Sequence, residues 1–509
     1  MSTPLLADVL RTVAREEPDR EAYVHGAKRA TYAWIDRAAD GFAATLLDHG
    51  VARGDRVTLL LPGSIKFAAC YLGAARIGAI TSAVNLRLGP AEQASIVERT
   101  GPAVTVVGDG ATVPAGVDPG AVVPVTALKE AFAAPAPDRL PVLATTDPVC
   151  IIWTSGTTGV PKGAVYDHET MAAIARNIPE TAALHDRVLF TLPFPHLGYM
   201  GWVYTFTQRR TTLVLGPNPW NVPDTLDLVE RERITMMNGV PTQWSLVLDR
   251  ADDLGTDFSG LRIAATGAAA SPPELIRRMR ERLGVPVLNG YSSTEAGVIT
   301  GTAIGDPDDV VAGTVGRARA EVTVRLVDPD GADVGPGEVG EVICRSPAMM
   351  RGYWRDPDLT ATVVDADGFL HTGDLAHFDR AGNLVMAGRR KEMYIRGGYN
   401  VYPTEVEATL TLHPDVVRTA VIGAPDPVLG EIGVAYVVAR PGATPGRDDL
   451  RAWCRERIAD YKAPDRVVTV EELPMTPVGK LDKAALAERW AAIDAAGATD
   501  DRHDTGGKR

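Results

Sequence analysis

The sequence predicts an α/β protein of more than one domain, and three observations support that prediction. The chain has 509 residues, whereas single hydrophobic cores stop growing at roughly 250–300 residues. Helical and strand-like apolar patterns alternate up to about residue 310, which is typical of layered α/β sheets with largely parallel strands. Beyond Gly313, short strand-like runs are separated by turns rich in Pro, Gly and Asp, and they predict a small antiparallel, β-barrel-like subdomain.

Each predicted element follows from the apolar spacing of its segment. Helical spacing occurs first at 5–16 and 32–49. Short apolar runs predict buried strands at 56–61, 104–107, 149–153, 188–192, 212–215 and 262–266. The strands of the β subdomain are expected at 322–327, 338–345 and 383–387. A helix at 404–412, strands at 416–423 and 432–438, a helix at 447–458 and a strand at 466–470 predict a small α+β C-terminal domain.

The composition disfavours two classes of partner. Apolar residues make up 45% and charged residues 23% of the chain, as in an ordinary globular protein. The net charge of −13 disfavours nucleic acid and an anionic membrane as main partners, since both require a basic surface. An anionic small molecule stays open as a substrate, because one local basic pocket is sufficient to bind it.

The N-terminal sequence and the cysteine spacing give an expectation for the cellular location of the protein. The N-terminal residues lack the basic and apolar regions of a secretory signal, and the apolar stretch 67–86 is interrupted by Arg76. We therefore expect a buried helix and strand there, and no stable membrane insertion. The four cysteines have no CxxC or paired spacing, which favours reduced, partly buried thiols in a cytoplasmic protein.

One glycine-rich segment gives the first functional signal. Residues 154–163 follow the apolar run 149–153 and contain three glycines, four hydroxyl groups and one lysine. Glycines let backbone N–H groups converge on an anion, hydroxyls donate to phosphate oxygens, and a lysine adds charge. The spacing differs from GxxxxGK[ST], so this is no P-loop. A merely flexible loop is the alternative, but the pattern favours phosphate binding by Thr154, Ser155, Gly156, Thr157, Thr158, Gly159 and Lys162.

Further motifs extend this signal to a family. Segments 291–295 (YSSTE), 371–374 (HTGD), 396–400 (RGGYN) and 474–480 (PMTPVGK) follow the glycine-rich segment in order. Together they resemble the adenylate-forming superfamily of acyl- and aryl-CoA synthetases, peptide-synthetase adenylation domains and luciferases. The resemblance spans about residues 20–485 and is closest to the acyl-CoA synthetases.

The resemblance implies an ATP site built from residues that are far apart in sequence. The implied positions are Tyr291, Ser292, Ala268 and Ala269 at the adenine, Asp374 and Arg389 at the ribose, Thr294 at the α-phosphate and Glu295 as the Mg²⁺ ligand. Ser292 stands where the family usually has glycine, which could crowd the turn. From the residues alone, Glu295 also fits an exposed turn carboxylate, and Asp374 with Arg389 fits a surface ion pair.

The resemblance also implies catalytic and gating roles. Lys480 would neutralise charge that builds on the α-phosphate, although by itself it also fits an exposed loop lysine. His196 would guard a thiol channel, although a lone histidine also fits a loop or core position. Lys391 is the implied hinge of a mobile C-terminal domain. The coenzyme A channel is implied at Arg396, Gly397 and Gly398, and the acyl pocket at Tyr199, Trp202, Val240, Ala269 and Gly297.

These implications define a domain scheme and a reaction. We expect an ATP- and acid-binding domain at 1–388, a hinge at 389–391, a mobile lid domain at 392–491 and a disordered tail at 492–509. Because residues 196–202 contain no Asp that could hold a substrate amine, we expect the substrate to be an uncharged aliphatic or aromatic acid. The implied reaction uses ATP and Mg²⁺ to convert this acid into acyl-AMP. Coenzyme A then accepts the acyl group.

Two alternatives stay open. A stand-alone adenylating enzyme of natural-product biosynthesis would pass the group to a carrier protein or a nitrogen nucleophile, and a non-catalytic relative would only bind nucleotide or acid. The sequence leaves open whether the chain forms a homodimer.

Overall fold

The computed structural model describes residues 3–154, 160–178, 183–267, 271, 273–476 and 481–497. The chain forms two compact units. The first unit comprises Met1–Arg325, Ile343–Thr372 and Arg380–Leu384, and the second comprises Leu326–Val342, Gly373–Asp379 and Val385–Arg509. Layered α/β sheets in the first unit and a separate α+β region at the C-terminal end confirm the predicted fold class.

Strands and helices are numbered in chain order. The elements up to residue 131 are Leu6–Glu16 (α1), Glu21–His25 (β1), Lys28–Thr31 (β2), Tyr32–Asp48 (α2), Arg56–Leu60 (β3), Ile65–Arg76 (α3), Ile80–Ala83 (β4), Pro90–Thr100 (α4), Val104–Val107 (β5), Ala121–Pro124 (β6) and Leu128–Ala131 (α5). The next are Pro148–Thr154 (β7), Lys162–Asp167 (β8), His168–Asn177 (α6), Arg187–Phe190 (β9), Leu197–Met200 (α7), Val203–Gln208 (α8), Thr212–Leu215 (β10) and Val222–Arg231 (α9).

The chain continues with a second series of α/β elements and then with the β-rich region. These are Met236–Gly239 (β11), Pro241–Leu254 (α10), Ile263–Thr266 (β12), Pro273–Leu283 (α11), Val287–Ser293 (β13), Gly297–Gly301 (β14), Asp308–Gly313 (α12), Arg317–Ala318 (β15), Thr323–Val327 (β16), Gly340–Arg345 (β17), Pro357–Ala361 (α13), Leu370–Phe378 (β18) and Leu384–Arg389 (β19). The last are Tyr394–Arg396 (β20), Tyr399–Val401 (β21), Pro403–Thr411 (α14), Val416–Asp426 (β22), Gly430–Ala439 (β23), Arg447–Arg455 (α15), the 3₁₀ turn Asp460–Lys462, Arg466–Thr469 (β24) and Lys483–Gly497 (α16).

Two sheets form the first unit. One has the order β6-β5-β3-β4-β7-β8, and the other has the order β15-β14-β13-β12-β11-β9-β10-β1-β2. The inner pairs are parallel, as the alternating pattern predicts. The edges differ, because β7 with β8 and β13 with β14 form antiparallel hairpins. Both hairpins carry predicted site residues.

The hydrophobic core of the first unit is built around α2 and α3. Thr31 and Ser64 begin these helices by accepting hydrogen bonds from the backbone N–H groups of Trp34 and Phe67. α3 is buried along nearly its whole length, so the apolar stretch 67–86 is a buried helix and strand, as predicted. Among the described helices, none has both the length and the hydropathy needed to cross a bilayer.

The second unit contains a sheet in the order β21-β20-β23-β22, with β24 paired to β23. A further four-stranded sheet has the order β16-β17-β18-β19 and is formed by the β-rich region. The last helix, α16, continues to Gly497 and overlaps the first residues of the tail expected from 492. Residues 498–509 lie outside the described part of the chain. The cysteines are all buried, free thiols: Cys70, Cys150, Cys344 and Cys454.

Candidate active site

The glycine-rich segment is the connection of the β7–β8 hairpin. Thr154, the last residue of β7, pairs with Lys162, the first residue of β8. The Oγ1 atom of Thr154 lies 3.4 Å from Oε1 of Glu295 and 3.5 Å from the carbonyl oxygen of Lys162. Residues 155–159 (Ser155, Gly156, Thr157, Thr158 and Gly159) lie outside the described residues. The hairpin therefore brings two of the predicted phosphate-binding positions, Thr154 and Lys162, close to the predicted metal ligand.

The Glu295 carboxylate is held by hydroxyl groups. Tyr353 donates its hydroxyl to Oε1 of Glu295 at 3.1 Å, and Lys162 Nζ lies 5.6 Å from the centre of the Tyr353 ring. Burial and the neighbouring Glu295 charge raise the pKa of Tyr353, so its hydroxyl stays protonated and can donate. Both described hydroxyl donors, Thr154 and Tyr353, bind Oε1 of Glu295, and no hydrogen bond among the described residues involves Oε2.

A short segment without a recognisable sequence motif orients this carboxylate. Residues 350–354 run along the outer edge of β8, where the N–H of Trp354 donates to the carbonyl oxygen of Gly163 at 2.7 Å. The N–H of Met350 donates to the carbonyl oxygen of Glu295 at 2.9 Å. The segment thus fixes both the backbone of Glu295 and, through Tyr353, its side chain. The only signal in the sequence is an aromatic pair after Gly352, which is too common to mark a site.

The motif at 291–295 spans the end of β13 and the turn into β14. Tyr291 is partly buried, and Ser292 is exposed with its backbone outside the left-handed region. Serine therefore replaces the usual glycine without backbone strain, and its side chain does not crowd the turn. The buried Tyr166 donates its hydroxyl to the carbonyl oxygen of Thr294 at 2.6 Å. These contacts fix the turn in front of the β7–β8 hairpin.

The turn ends at Gly297, a predicted acyl-pocket residue. Its φ of +71° lies in the left-handed region, and a methyl group added there would lie 2.7 Å from the carbonyl oxygen of Ala348. Only glycine fits this position. Ser293 caps the same turn by accepting the N–H of Ala296 at 3.0 Å.

The other acyl-pocket candidates have different environments. Tyr199 is fully buried: its ring stacks on Phe194 with centroids 3.7 Å apart, and its hydroxyl lies 2.9 Å from that of Tyr23. Such packing is typical of a core residue. Trp202 and Val240 are partly buried. Ala268 and Ala269 lie outside the described residues.

His196 caps the short helix α7. Its Nδ1 accepts the N–H of Gly198 at 3.3 Å, and its carbonyl oxygen accepts the N–H of Met200 at 2.9 Å. The donation from Gly198 requires an unprotonated Nδ1, which fixes the tautomer of the neutral ring. His196 follows β9 by a short loop, so the structure places it at the carboxyl end of a sheet strand, where ligands of α/β proteins bind.

Two predicted ribose residues face each other in the second unit. Asp374 lies in β18 and is nearly buried, whereas Arg389 ends β19 and exposes 60% of its side chain. The Nε atom of Arg389 lies 2.9 Å from Oδ1 of Asp374. An exposed guanidinium thus holds a buried carboxylate in place, which suits a site for vicinal hydroxyl groups.

The predicted coenzyme A loop is a tight hairpin. Arg396 pairs with Tyr399 across Gly397 and Gly398, whose φ angles are +57° and +88°. Positive φ at both central residues is the geometry of a type I′ turn, which matches the twist of the flanking strands. The Arg396 guanidinium is bound to Asp465.

Two predicted lysines lie near the C-terminal region. Lys391 lies in the exposed turn between β19 and β20. Lys480 lies outside the described residues. On either side of it, Met475 and Leu481 form an antiparallel bridge.

The layered α/β fold with a separate α+β region at the C-terminal end is that of adenylate-forming enzymes. The family model of the AMP-binding enzyme matches residues 10–354, and that of the AMP-binding enzyme C-terminal domain matches residues 405–480. The chain belongs to the AMP-binding enzyme family, as the sequence motifs predict.

Relatives with assigned activities are similar over nearly the whole chain. The 3-[(3aS,4S,7aS)-7a-methyl-1,5-dioxo-octahydro-1H-inden-4-yl]propanoyl:CoA ligase of Rhodococcus jostii (strain RHA1) is 35% identical over 513 residues, covering 94% of this chain and 97% of the relative. A feruloyl-CoA synthase of Amycolatopsis sp. is 35% identical over 483 residues, with the same coverage. The crystal structure of ATP-bound MatB from Rhodopseudomonas palustris superposes with a TM-score of 0.86 at 27% identity, over 96% of this chain and 99% of that one.

Proposed function

We propose that this chain is an AMP-forming acid–thiol ligase that converts a carboxylic acid into its coenzyme A thioester through an acyl-AMP intermediate. The observation that carries the proposal is the Glu295 carboxylate, held by Tyr353 and Thr154 at the mouth of the β7–β8 hairpin. The similarity to two ligases that form coenzyme A thioesters supports the same reaction.

The first half-reaction joins the acid to AMP. An oxygen of the substrate carboxylate attacks the α-phosphorus of ATP, the bond to the bridging oxygen of the β-phosphate breaks, and pyrophosphate leaves with the electron pair. The carboxylate is already ionised, so the protein supplies position and charge neutralisation instead of proton transfer. In the proposal, Lys162 and the hairpin grip the β- and γ-phosphates, Thr294 contacts the α-phosphate, and Lys480 neutralises the charge that develops there.

The residues around Glu295 fit a magnesium ion bound together with phosphate. Mg²⁺ is usually held by one or two carboxylates plus phosphate oxygens and water, and Glu295 offers one oxygen that no described protein donor occupies. No cluster of three or more acidic, His or Cys ligands exists among the described residues, which argues against an all-protein metal cage. When bound, the ion would neutralise phosphate charge.

The nucleoside is proposed to lie on residues from several elements. Asp374 accepts hydrogen bonds from the ribose hydroxyls while Arg389 holds it in place, and Tyr291 stacks on adenine beside Ala268 and Ala269. The near burial of Asp374 supports this role, because a buried carboxylate oriented by an ion pair is preorganised to accept hydrogen bonds.

The second half-reaction transfers the acyl group. The thiol of coenzyme A loses its proton to solvent, its sulfur attacks the carbonyl carbon of acyl-AMP, the bond to the phosphate oxygen breaks, and AMP leaves with the electron pair. We propose that the lid domain, 392–491, rotates against the ATP- and acid-binding domain, 1–388, about the hinge 389–391, which contains Lys391. This rotation removes Lys480 from the reacting group and brings Gly397 and Gly398 there. His196 is proposed to line the thiol's path.

We propose that the acid is aliphatic or aromatic and carries no charge apart from its carboxylate. Trp202, Val240 and Gly297 present no charge to a substrate, and the two reported ligases carry names of acids built on rings. Because Tyr199 is buried in the core, we propose that it supports the acyl pocket from behind.

A pyrophosphate-release screen tests the proposal. The full chain is incubated with Mg·ATP and a panel of uncharged aliphatic and aromatic acids, with and without coenzyme A, and products are identified by mass. We expect acid-dependent release of pyrophosphate and an acyl-CoA product. Release without a thioester would favour a carrier protein or a nitrogen nucleophile as acceptor. Nucleotide binding without release for any acid would favour a non-catalytic relative.

A further inference from the structure

The guanidinium of Arg396 binds one carboxylate through two of its nitrogen atoms. Its Nε donates to Oδ2 of Asp465 at 2.8 Å, and its Nη2 donates to Oδ1 at 2.7 Å. Both side chains are largely buried, with exposed fractions of 18% for Arg396 and 11% for Asp465. Two parallel bonds of this kind fix the orientation of both partners.

Asp465 is itself held by other elements of the second unit. The N–H of Gly433 in β23 donates to its Oδ2 at 3.2 Å, and Nη1 of Arg451 in α15 lies 3.3 Å from its Oδ1. Burial alone would raise the pKa of Asp465, but Arg396, with Gly433 and Arg451, holds that pKa below its usual value. Asp465 is therefore an ionised anchor, fixed to a strand and a helix.

Arg396 directly precedes the turn that the proposed function assigns to the thiol. The N–H of Gly397 donates to the carbonyl oxygen of Leu429 at 2.8 Å, and a methyl group placed on Gly398 would meet nothing within 4 Å. On the opposite strand of the hairpin, Tyr399 stacks on Tyr461 with centroids 4.6 Å apart. Both strands are thus attached to the segment 460–465, while the turn itself presents bare backbone.

We propose that Asp465 is a positioning residue for thioester formation, which fixes the Gly397–Gly398 turn through Arg396 at the place where the pantetheine thiol arrives. This rests on the proposed function and refines it in one respect. Arg396 holds the turn in place through its two hydrogen bonds to Asp465. The backbone of the two glycines, and not the Arg396 side chain, forms the wall of the channel.

The test separates the two half-reactions in a double-mutant cycle. Wild type, Asp465→Asn, Arg396→Gln and the double variant are assayed for pyrophosphate release with the acid that the screen selects. They are then assayed for consumption of the corresponding supplied acyl-AMP with coenzyme A. For both single variants we expect the turnover of the second step to fall about ten- to a hundredfold, with pyrophosphate release changed less than about threefold. The double variant should be no worse than either single one, because the two residues act through one contact.

A control distinguishes positioning from general loss of stability. Tyr436→Phe removes a buried hydrogen bond to the carbonyl oxygen of Leu486 in the same unit, 2.9 Å long and away from the hairpin. It should lower the melting temperature without a selective loss of the second step. Equal loss of both steps in Asp465→Asn, no loss in either, or additive losses in the double variant would overturn the inference. If wild type releases pyrophosphate but never consumes acyl-AMP with coenzyme A, the proposed function fails as well.

Discussion

Tyr353 is the residue whose removal best tests the site described around Glu295. Tyr353→Phe keeps the ring and deletes one hydroxyl that donates to the carboxylate. A hydrogen bond to a charged group contributes roughly 1.5–3 kcal/mol, so magnesium-dependent pyrophosphate release should fall about ten- to a hundredfold in kcat/KM. Tyr204→Phe is the matched control, because its hydroxyl donates to the carbonyl oxygen of Pro4, which is not a site residue. Equal activity of Tyr353→Phe and wild type would show that the Tyr353 hydroxyl does not orient Glu295 for catalysis.

A second residue-scale prediction concerns acid stability. His168 is buried, and its Nδ1 accepts the N–H of Leu6 at 3.1 Å, which requires the neutral ring. Burial lowers the pKa of His168 from 6.5 to about 4, although Asp167, Asp147 and Asp8 oppose this shift. Between these values the unfolded chain binds the proton and the folded chain does not. The free energy of unfolding should therefore decrease as the pH falls from 6.5 to 4, by about 3 kcal/mol from this residue.

Melting temperatures measured from pH 7 to pH 4 check this sign. His168→Asn should show a flatter dependence on pH, whereas the exposed His49→Asn should follow wild type. A steeper loss of stability in His168→Asn than in wild type would contradict the assignment.

At the scale of an element, the turn of the β20–β21 hairpin requires residues that tolerate positive φ at its two central positions. Asparagine tolerates positive φ, so Gly397→Asn should keep the type I′ turn and most of the coenzyme A step. Gly398→Val forces a β-branched residue into the left-handed region at a cost of roughly 1–2 kcal/mol. It should slow acyl-AMP consumption about tenfold or more. Similar rates for the two variants would show that turn geometry does not limit the step.

The elements also show what the sequence could and could not predict. Buried strands such as β3, β5 and β10 and the helices α1 and α2 were predicted within one or two residues, because their apolar spacing is determined by the core. The β1–β2 hairpin was missed, since half of its residues are charged or polar. Strand β8 was missed too, and its antiparallel pairing depends on the sheet partner β7, which periodicity does not reveal.

The candidate site divides in the same way. Glu295, Asp374 and Arg389 were identified by motif, and the structure gives each a defined partner. Tyr353 and Asp465 were not, because each acts through a contact with a residue far away in sequence. A motif records residues that touch the ligand more readily than residues that orient them.

The whole molecule is proposed to use one nucleotide site for two reactions, and Lys480→Ala separates them. Loss of a charge that stabilises the transition state costs about a hundred- to a thousandfold, so pyrophosphate release should fall by that factor. The same variant should still convert supplied acyl-AMP and coenzyme A at close to the wild-type rate, measured as AMP release. Lys66→Ala, which changes a lysine at the surface end of α3, is the control. Equal loss of both steps would exclude the two-conformation scheme.

Because all four cysteines are buried, the chain is suitable for labelling at engineered cysteines. Only a thiolate reacts quickly with maleimides, and burial raises the pKa of Cys150 and Cys344 to about 12. The native thiols should therefore react slowly with maleimides, whereas engineered, exposed thiols should react quickly. Val142, 88% exposed in the first unit, and Val428, 86% exposed in the second, are suitable positions for a fluorescent donor and acceptor. A change in energy transfer between ATP-bound and coenzyme A-bound samples would record, in real time, whether one part of the chain turns against the other.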